Sequence, residues 1–353
     1  MVIIHRDDKV YEPERRSLNS SYNSLYCYKF NKVLDYCDIP NKIIDYIDPP
    51  DYGGDDWKGD YFIGRFGQNI TDKHYHSQNF DKLYDYYGEK MWPNKKAYYY
   101  YDDKVRQYEL LERYGVQIPS IICNTLDELL SNVSVGTVVK SSYGAGGESC
   151  FYVWKKEHLY QIEEYISDCY NSENFFPCIV QEYLDYDWEY YIFATNDNIY
   201  GYKMKKKREY FSPSSFPYNN ISDWSGNIHR SIDGKSYSPE CSRLNEKELE
   251  SYIDVVLNIK NELGTPNLKF DILDNKVLEL SYLYGEVMPY SKTIDPPTRG
   301  THPNLYLTYD IKSGSIGYKD QGDTFYYWNF VQINSILKHL GIIENDILGS
   351  NLY

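Results

Sequence analysis

Residues 269–282, KFDILDNKVLELSY, place one carboxylate inside each of two short apolar runs, Asp271 and Glu279, on either side of a DNK turn. This pattern predicts an antiparallel hairpin. A carboxylate inside an apolar strand is expensive to bury unless a cation or metal pairs with it. Two of them on adjacent strands repel each other unless something positive lies between. A magnesium ion that also binds phosphate oxygens meets that demand, because Mg²⁺ takes hard oxygen ligands and completes its shell with substrate. Ser281, two residues beyond Glu279, points to the same face and is a third, weaker candidate ligand.

Upstream lie groups suited to the phosphates themselves. Lys140 ends the β-branched run GTVVK and opens into SSYGAGGES (141–149). Ser142, Gly144, Gly146 and Gly147 are small enough for the backbone to approach a ligand and turn its N–H groups inward. The loop joins two predicted strands. It is therefore neither a P-loop nor a dinucleotide fingerprint, both of which open a helix. Lys104 begins a predicted helix, where its charge opposes the helix dipole and an anion would offset the cost. In QEYL (181–184), Glu182 and the backbone of Tyr183 and Leu184 suit the edge of a nucleobase, and Glu189 suits ribose hydroxyls.

Composition narrows the class. The chain has 353 residues, enough for two or three joined subdomains, and 42% of them are hydrophobic. Its 42 tyrosines are a compositional bias that substitutes ring surface for aliphatic surface, although some suit a sugar or nucleotide site. A net charge of −15 argues against a nonspecific nucleic-acid surface. The one basic run, KMKKKR (203–208), reads either as a patch facing an anion or as a solvated strand end. The seven cysteines include no CxxC pair and fit reduced thiols. No apolar stretch is long enough to span a membrane, and the N-terminal residues lack a signal-like apolar run, so a cytoplasmic location is expected. His74 and His76 have no further ligand nearby and make a poor zinc site. A G-x-S-x-G elbow is absent.

The local signals predict strands at MVII, KIIDYI and YFIGRF and a helix over 76–91. Further helices are expected over 102–115 (capped by Asp102 or Asp103 and ended by Gly115), over 125–133, over 157–170 and over 245–264, with a terminal helix in VQINSILKHLG. Residues 136–155 read as a hairpin around the glycine-rich loop, and 178–184, 189–197 and 198–206 as consecutive strands. Residues 211–240 read as a long loop, functional or mobile.

The order of these pieces resembles the ATP-grasp superfamily over about residues 98–290, most closely its carboxylate–amine ligase branch. YYYYDDK and RFG are similar to members associated with polysaccharide loci. The resemblance implies an α/β (α+β) chain: two α+β subdomains clasping ATP, preceded by a small α/β N-terminal domain. The implied division is 1–97, a lid subdomain 98–177, a larger subdomain with the metal site 178–310, and an extension 311–353. It implies that Lys104, Lys140 and the glycine-rich loop hold ATP phosphates, that Gln181 to Leu184 form the adenine hinge, and that Glu189 contacts ribose. It further implies that Lys203 or Lys205 reaches the phosphates, and that Asp271, Glu279 and Ser281 bind Mg²⁺. Ser281 stands where the family usually has Asn, and Tyr191 where an arginine is common. Arg208 and Arg230 are candidates for the arginine that helps hold an acyl phosphate.

The implied chemistry is ATP-dependent activation of a carboxylate followed by attack of an amine. The alternatives are a kinase of the same fold and a catalytically weak ATP-binding protein. The expected partner is a small-molecule, peptide or sugar-acid substrate, with Arg65, Arg230, Lys292 and Arg299 as candidate anchors. The sequence leaves the oligomeric state open.

Overall fold

A computed structural model of the chain describes residues 1–6, 30–31, 33–45, 57–64, 80–101, 103–143, 150–168, 174–205, 241–282, 305–320 and 327–347. Three sheets organise them. The first is parallel, in the order β2-β1-β3-β4, from β1 (Val2–Arg6), β2 (Asn41–Asp45), β3 (Tyr61–Gly64) and β4 (Met91–Trp92). Its strands are nearly continuous apolar runs, as expected where both faces are covered: Ile3 packs with Trp57, Phe62 and Phe80, and Val2 and Ile4 pack with Phe30, Leu34 and Trp92.

Two helices follow, α1 (Lys95–Tyr100) and α2 (Lys104–Arg113). The second sheet is antiparallel, in the order β5-β8-β6-β7, from β5 (Ser120–Cys123), β6 (Thr137–Ser141), β7 (Cys150–Val153) and β8 (Cys178–Glu182). One face carries Cys123, Val139, Phe151, Val153, Cys178 and Val180 against α3 (Leu126–Asn132) and α5 (Ile162–Asp168). The helix expected over 157–170 is two pieces, α4 (Lys156–Leu159) and α5, because the buried His158 turns back to accept the Trp154 N–H at 3.1 Å.

The third sheet has seven strands, in the order β13-β12-β9-β10-β14-β15 with β11 on β10. It comprises β9 (Trp188–Ala194), β10 (Asn198–Lys205), β11 (Cys241–Arg243), β12 (Leu268–Leu273), β13 (Lys276–Ser281), β14 (Leu305–Asp310) and β15 (Ser315–Asp320). Helix α6 (Glu246–Leu263) covers one face. Its start is a complete Asn245–Glu248 capping box and its end is Gly264 in the left-handed region. Leu249, Tyr252, Ile253, Val256, Ile259 and Leu263 recur at helical spacing and pack on Ile192, Leu268, Phe270 and Leu280. Each such side chain contributes about 1.5–3 kcal/mol on burial.

Two divisions differ from the sequence reading. Strand β8 lies between β5 and β6 in the four-stranded sheet, so 178–182 does not begin the larger sheet. Nor is the C-terminal part an appendage. Strand β15 extends the large sheet, and α7 (Tyr327–His339) inserts Ile333, Ile336 and Leu337 beside Val2, Ile4 and Tyr282. Ser335 Oγ donates to Pro266 O at 3.1 Å, tying α7 to the turn that leads into β12. Among the described residues no helix is long and apolar enough to cross a membrane.

Candidate nucleotide and metal site

The alternation of β6, β7 and β8 puts Lys140, Cys150, Tyr152, Ile179 and Gln181 on the sheet face opposite the α3–α5 core. Lys140 is only 9% exposed and, among the described residues, makes no hydrogen bond or ion pair. Burial pushes its ammonium down. The nearby Lys104 adds to the effect, while Cys150, Glu279 and Glu189 oppose it. Lys104 and Lys140 on one side, and Glu189 and Glu279 on the other, thus share one electrostatic neighbourhood although they come from four separate stretches of chain.

The facing sheet supplies the acids. Asp271 and Glu279 are Cα partners across the β12–β13 hairpin, with a bulge immediately after Asp271. On its other side β12 pairs Asp271 with Tyr191 of β9. Burial raises the Asp271 carboxyl to about 7; Lys269 opposes that rise, and Glu279 and Glu189 add to it. Lys269 Nζ donates to Asp271 Oδ2 at 2.9 Å and lies 2.8 Å from Oδ1, yet the buried Oδ1 accepts no hydrogen bond. Glu189 is likewise pushed up by burial, against a hydrogen bond from Tyr191 and the charge of Lys269. Three carboxylates gather about one adjacent lysine, and Asp271 Oδ1, ion-paired with Lys269 but accepting no hydrogen bond, is with Glu279 an oxygen donor of the kind Mg²⁺ takes. Among the described residues no cluster of three or more His, Cys, Asp or Glu is arranged to hold a metal alone. Ser281 shares this face and registers with Lys269.

Helix α2 fixes the two sheets relative to each other. At its start Asp103, buried, accepts from Arg106 N at 3.0 Å and from Ser142 Oγ at 2.7 Å, and Lys104 N donates to Ser142 O at 2.8 Å. The N-terminus of α2 is thereby tied to the end of the Lys140 strand. One turn later the buried Gln107 side chain acts as an extra strand residue against β13. Its Nε2 donates to Leu280 O at 2.8 Å and its Oε1 accepts Leu280 N–H at 2.9 Å. Leu280 stands between Glu279 and Ser281, so this one amide sets Lys104 against the acidic hairpin.

Several expected residues hold other positions. Lys203 registers with Tyr190 and so faces α6, where its Nζ bonds Glu248 at 2.5 Å and stacks over Trp188. Lys205 registers with Trp188 and lies over the same ring. Both are on the face away from Asp271, the face that α6 covers, which a strand's period of two does not specify. The Ser142 hydroxyl is committed to Asp103, and the Tyr183 N–H is committed to Gly136 O at 2.9 Å and is not offered to a base. Gln181 is buried on the cleft face and Glu182 is exposed at the strand end. Gly144, Gly146, Gly147, Arg65, Arg208, Arg230, Lys292, Arg299, His74 and His76 lie outside the described residues.

Sequence reasoning missed Gln107, Lys269 and the aromatic wall. Lys269 was legible in principle, since the i,i+2 spacing to Asp271 puts both on one face. Tyr152 stacks parallel to Trp154 at 5.5 Å, and Trp154 meets Tyr183 edge-on at 4.5 Å. Burial pushes Tyr152 and Tyr186 well up, and Glu189 adds to both.

No protein-family model matches the chain, and no curated protein matches it in sequence. Solved structures do. The D-alanine–D-alanine ligase of Bacillus anthracis complexed with ATP is 12% identical, with 97% of this chain and 98% of that one covered at a TM-score of 0.54. D-alanyl-alanine synthetase A of Vibrio cholerae is 10% identical over 95% and 98%, at 0.55. The N5-carboxyaminoimidazole synthetase of Staphylococcus aureus complexed with ADP is 14% identical over 80% and 70%, at 0.51. At these identities the likeness is one of fold: this chain shares the ATP-grasp fold with these proteins.

Proposed function

We propose that the chain is an ATP- and Mg²⁺-dependent ligase that activates a substrate carboxylate as an acyl phosphate and joins it to an amine. The observation that carries this reading is Lys140, a buried ammonium with no partner among the described residues, facing a cleft whose far wall is acidic. An unpaired buried charge is costly, and a polyphosphate removes that cost here while its magnesium removes the opposite one at Asp271. Lys140 and Lys104 neutralise the phosphates. Lys269, beside Asp271, places a third cation at the metal end, where the sequence offered Lys203 or Lys205 for the phosphates and Arg208 or Arg230 for an acyl phosphate. Asp271 and Glu279 would hold the ion, with Ser281 adding an oxygen directly or through water. When bound, the ion polarises phosphoryl oxygens. Gln181 and the chain through Glu182 and Leu184, beside Tyr152, Trp154 and Tyr183, form the wall for the base.

The chemistry asked of these residues is positioning and charge neutralisation. The substrate carboxylate attacks the terminal phosphorus, ADP leaves, and the amine then displaces phosphate from the acyl carbon. A dry site protects the acyl phosphate from water. The substrates belong to the class of small-molecule, peptide or sugar acids. The test is ADP release over a panel of carboxylates and amines, with products weighed by mass spectrometry. ADP release that requires both substrates, with an amide product, is the expected result. A phosphorylated product with no amine requirement would make the chain a kinase, and failure to bind Mg·ATP would reject the reading.

A further inference from the structure

Strand β7 enters the cleft with Cys150. Lys140 and Cys150 are Cα partners in the β6–β7 ladder, so their side chains leave the sheet on the same face, about 5 Å apart at Cβ. Cys150 is partly exposed, whereas Cys123 and Cys178 are buried on the other face. The second observation is Lys140 itself, nine-tenths buried, without a partner among the described residues, and an electrostatic neighbour of the thiol. A soft nucleophile and a cation with no hydrogen-bond partner among the described residues share one face of the sheet. Cys37 is the contrast: it is also partly exposed, but burial and the adjacent Asp38 push its thiol up, and that carboxylate repels anions.

We infer that Cys150 is a thiol-modification site at the phosphate end of the cleft, taking anionic low-molecular-weight disulfides, and that the resulting mixed disulfide closes the nucleotide site. Only the closure rests on the nucleotide reading above. The carboxylate of the incoming disulfide is drawn to the Lys140 ammonium. The Cys150 thiol gives its proton to solvent and its sulfur attacks one sulfur of the reagent. A protein–reagent S–S bond forms, the reagent's own S–S bond breaks, and its second half leaves as a thiolate. The protein thiol is oxidised and the reagent half is reduced, so no further oxidant is needed. The adduct then sits beside Lys140, and a reducing thiol reverses it.

The test treats the full chain with limiting dithiobis(nitrobenzoate), an anionic disulfide, follows the released thiolate by absorbance, and locates the adduct by peptide mass spectrometry. Cys150 is expected to react first. Mg·ADP at ten times its Kd leaves about one site in eleven open and slows that phase by about tenfold. The adduct abolishes Mg·ADP binding, and dithiothreitol restores it. Cys150→Ser removes the fast phase and Cys37→Ser keeps it. Lys140→Met slows the fast phase about five-fold but leaves the reaction with uncharged bis(hydroxyethyl) disulfide unchanged. A fast phase at any other cysteine, or one indifferent to Lys140, overturns the assignment. An adduct at Cys150 that leaves Mg·ADP binding intact overturns the closure. A fast, Lys140-dependent Cys150 in a protein that binds no Mg·ADP upholds the modification site and rejects the nucleotide reading.

Discussion

Asp271→Asn separates function from stability, because the same buried charge drives the two in opposite directions. In the metal-free protein burial raises this carboxyl from 3.8 to about 7. At 1.36 kcal/mol for each factor of ten, holding the ionised form at neutral pH costs ~4 kcal/mol relative to a neutral side chain of the same shape. Asn is that side chain, and its carbonyl still accepts from Lys269. The metal-free variant is therefore expected to be more stable than the wild type at pH 8, by at most ~4 kcal/mol. The sign follows from proton linkage. The folded carboxyl binds its proton more tightly than the unfolded one, so its favourable contribution is complete below 3.8 and is lost as pH rises through about 7. The advantage of the variant is accordingly absent near pH 4 and full near pH 8. Saturating Mg·ATP reverses the order, because only the wild type gains the binding free energy of the metal. Thermal unfolding at several pH values, with and without Mg·ATP, reads all of this, and ADP release reads the loss of turnover. A metal-free variant less stable than wild type at pH 8, or one with full Mg-dependent activity, would refute the electrostatic account of this hairpin.

Three further outcomes follow from particular bonds. Lys140→Met should weaken Mg·ATP binding by about 10–100-fold, the loss of a charge-assisted bond, measured by calorimetry. Because burial lowers the wild-type ammonium, wild-type stability without ligand should rise as pH climbs toward 10.5, and the variant should lack that rise. Gln107→Leu leaves the buried N–H and C=O of Leu280 unpaired and should cost ~2–5 kcal/mol in denaturant unfolding. A loss below ~1 kcal/mol would mean that α2 is held to β13 by other means. Lys203→Met breaks a partly buried pair with Glu248 on the α6 face and should cost ~1–2 kcal/mol of stability with Mg·ATP affinity unchanged. A tenfold loss of affinity would return Lys203 to the site.

The acidic hairpin was legible in the residues alone. Strand alternation pairs Asp271 with Glu279, and the turn closes because Asp274 and Asn275 both take left-handed φ values, 45° and 63°, which those side chains tolerate. The start of α2 was equally local, Asp103 being one of the two caps the residues offered. Beyond these the sequence went silent or misled. A period of two says that Lys203 and Lys205 share a face, but not that α6 occupies it. An apolar strand at 178–182 says nothing about which sheet will take it. Nothing near Gln107 announces that its amide will pair with a backbone 173 residues away. Local rules arise from torsions and neighbours a few residues apart, and the chain carries them wherever it goes. Which face meets which, and so which cation meets which anion, depends on how whole elements bury their apolar sides against one another, and only the assembled fold decides that.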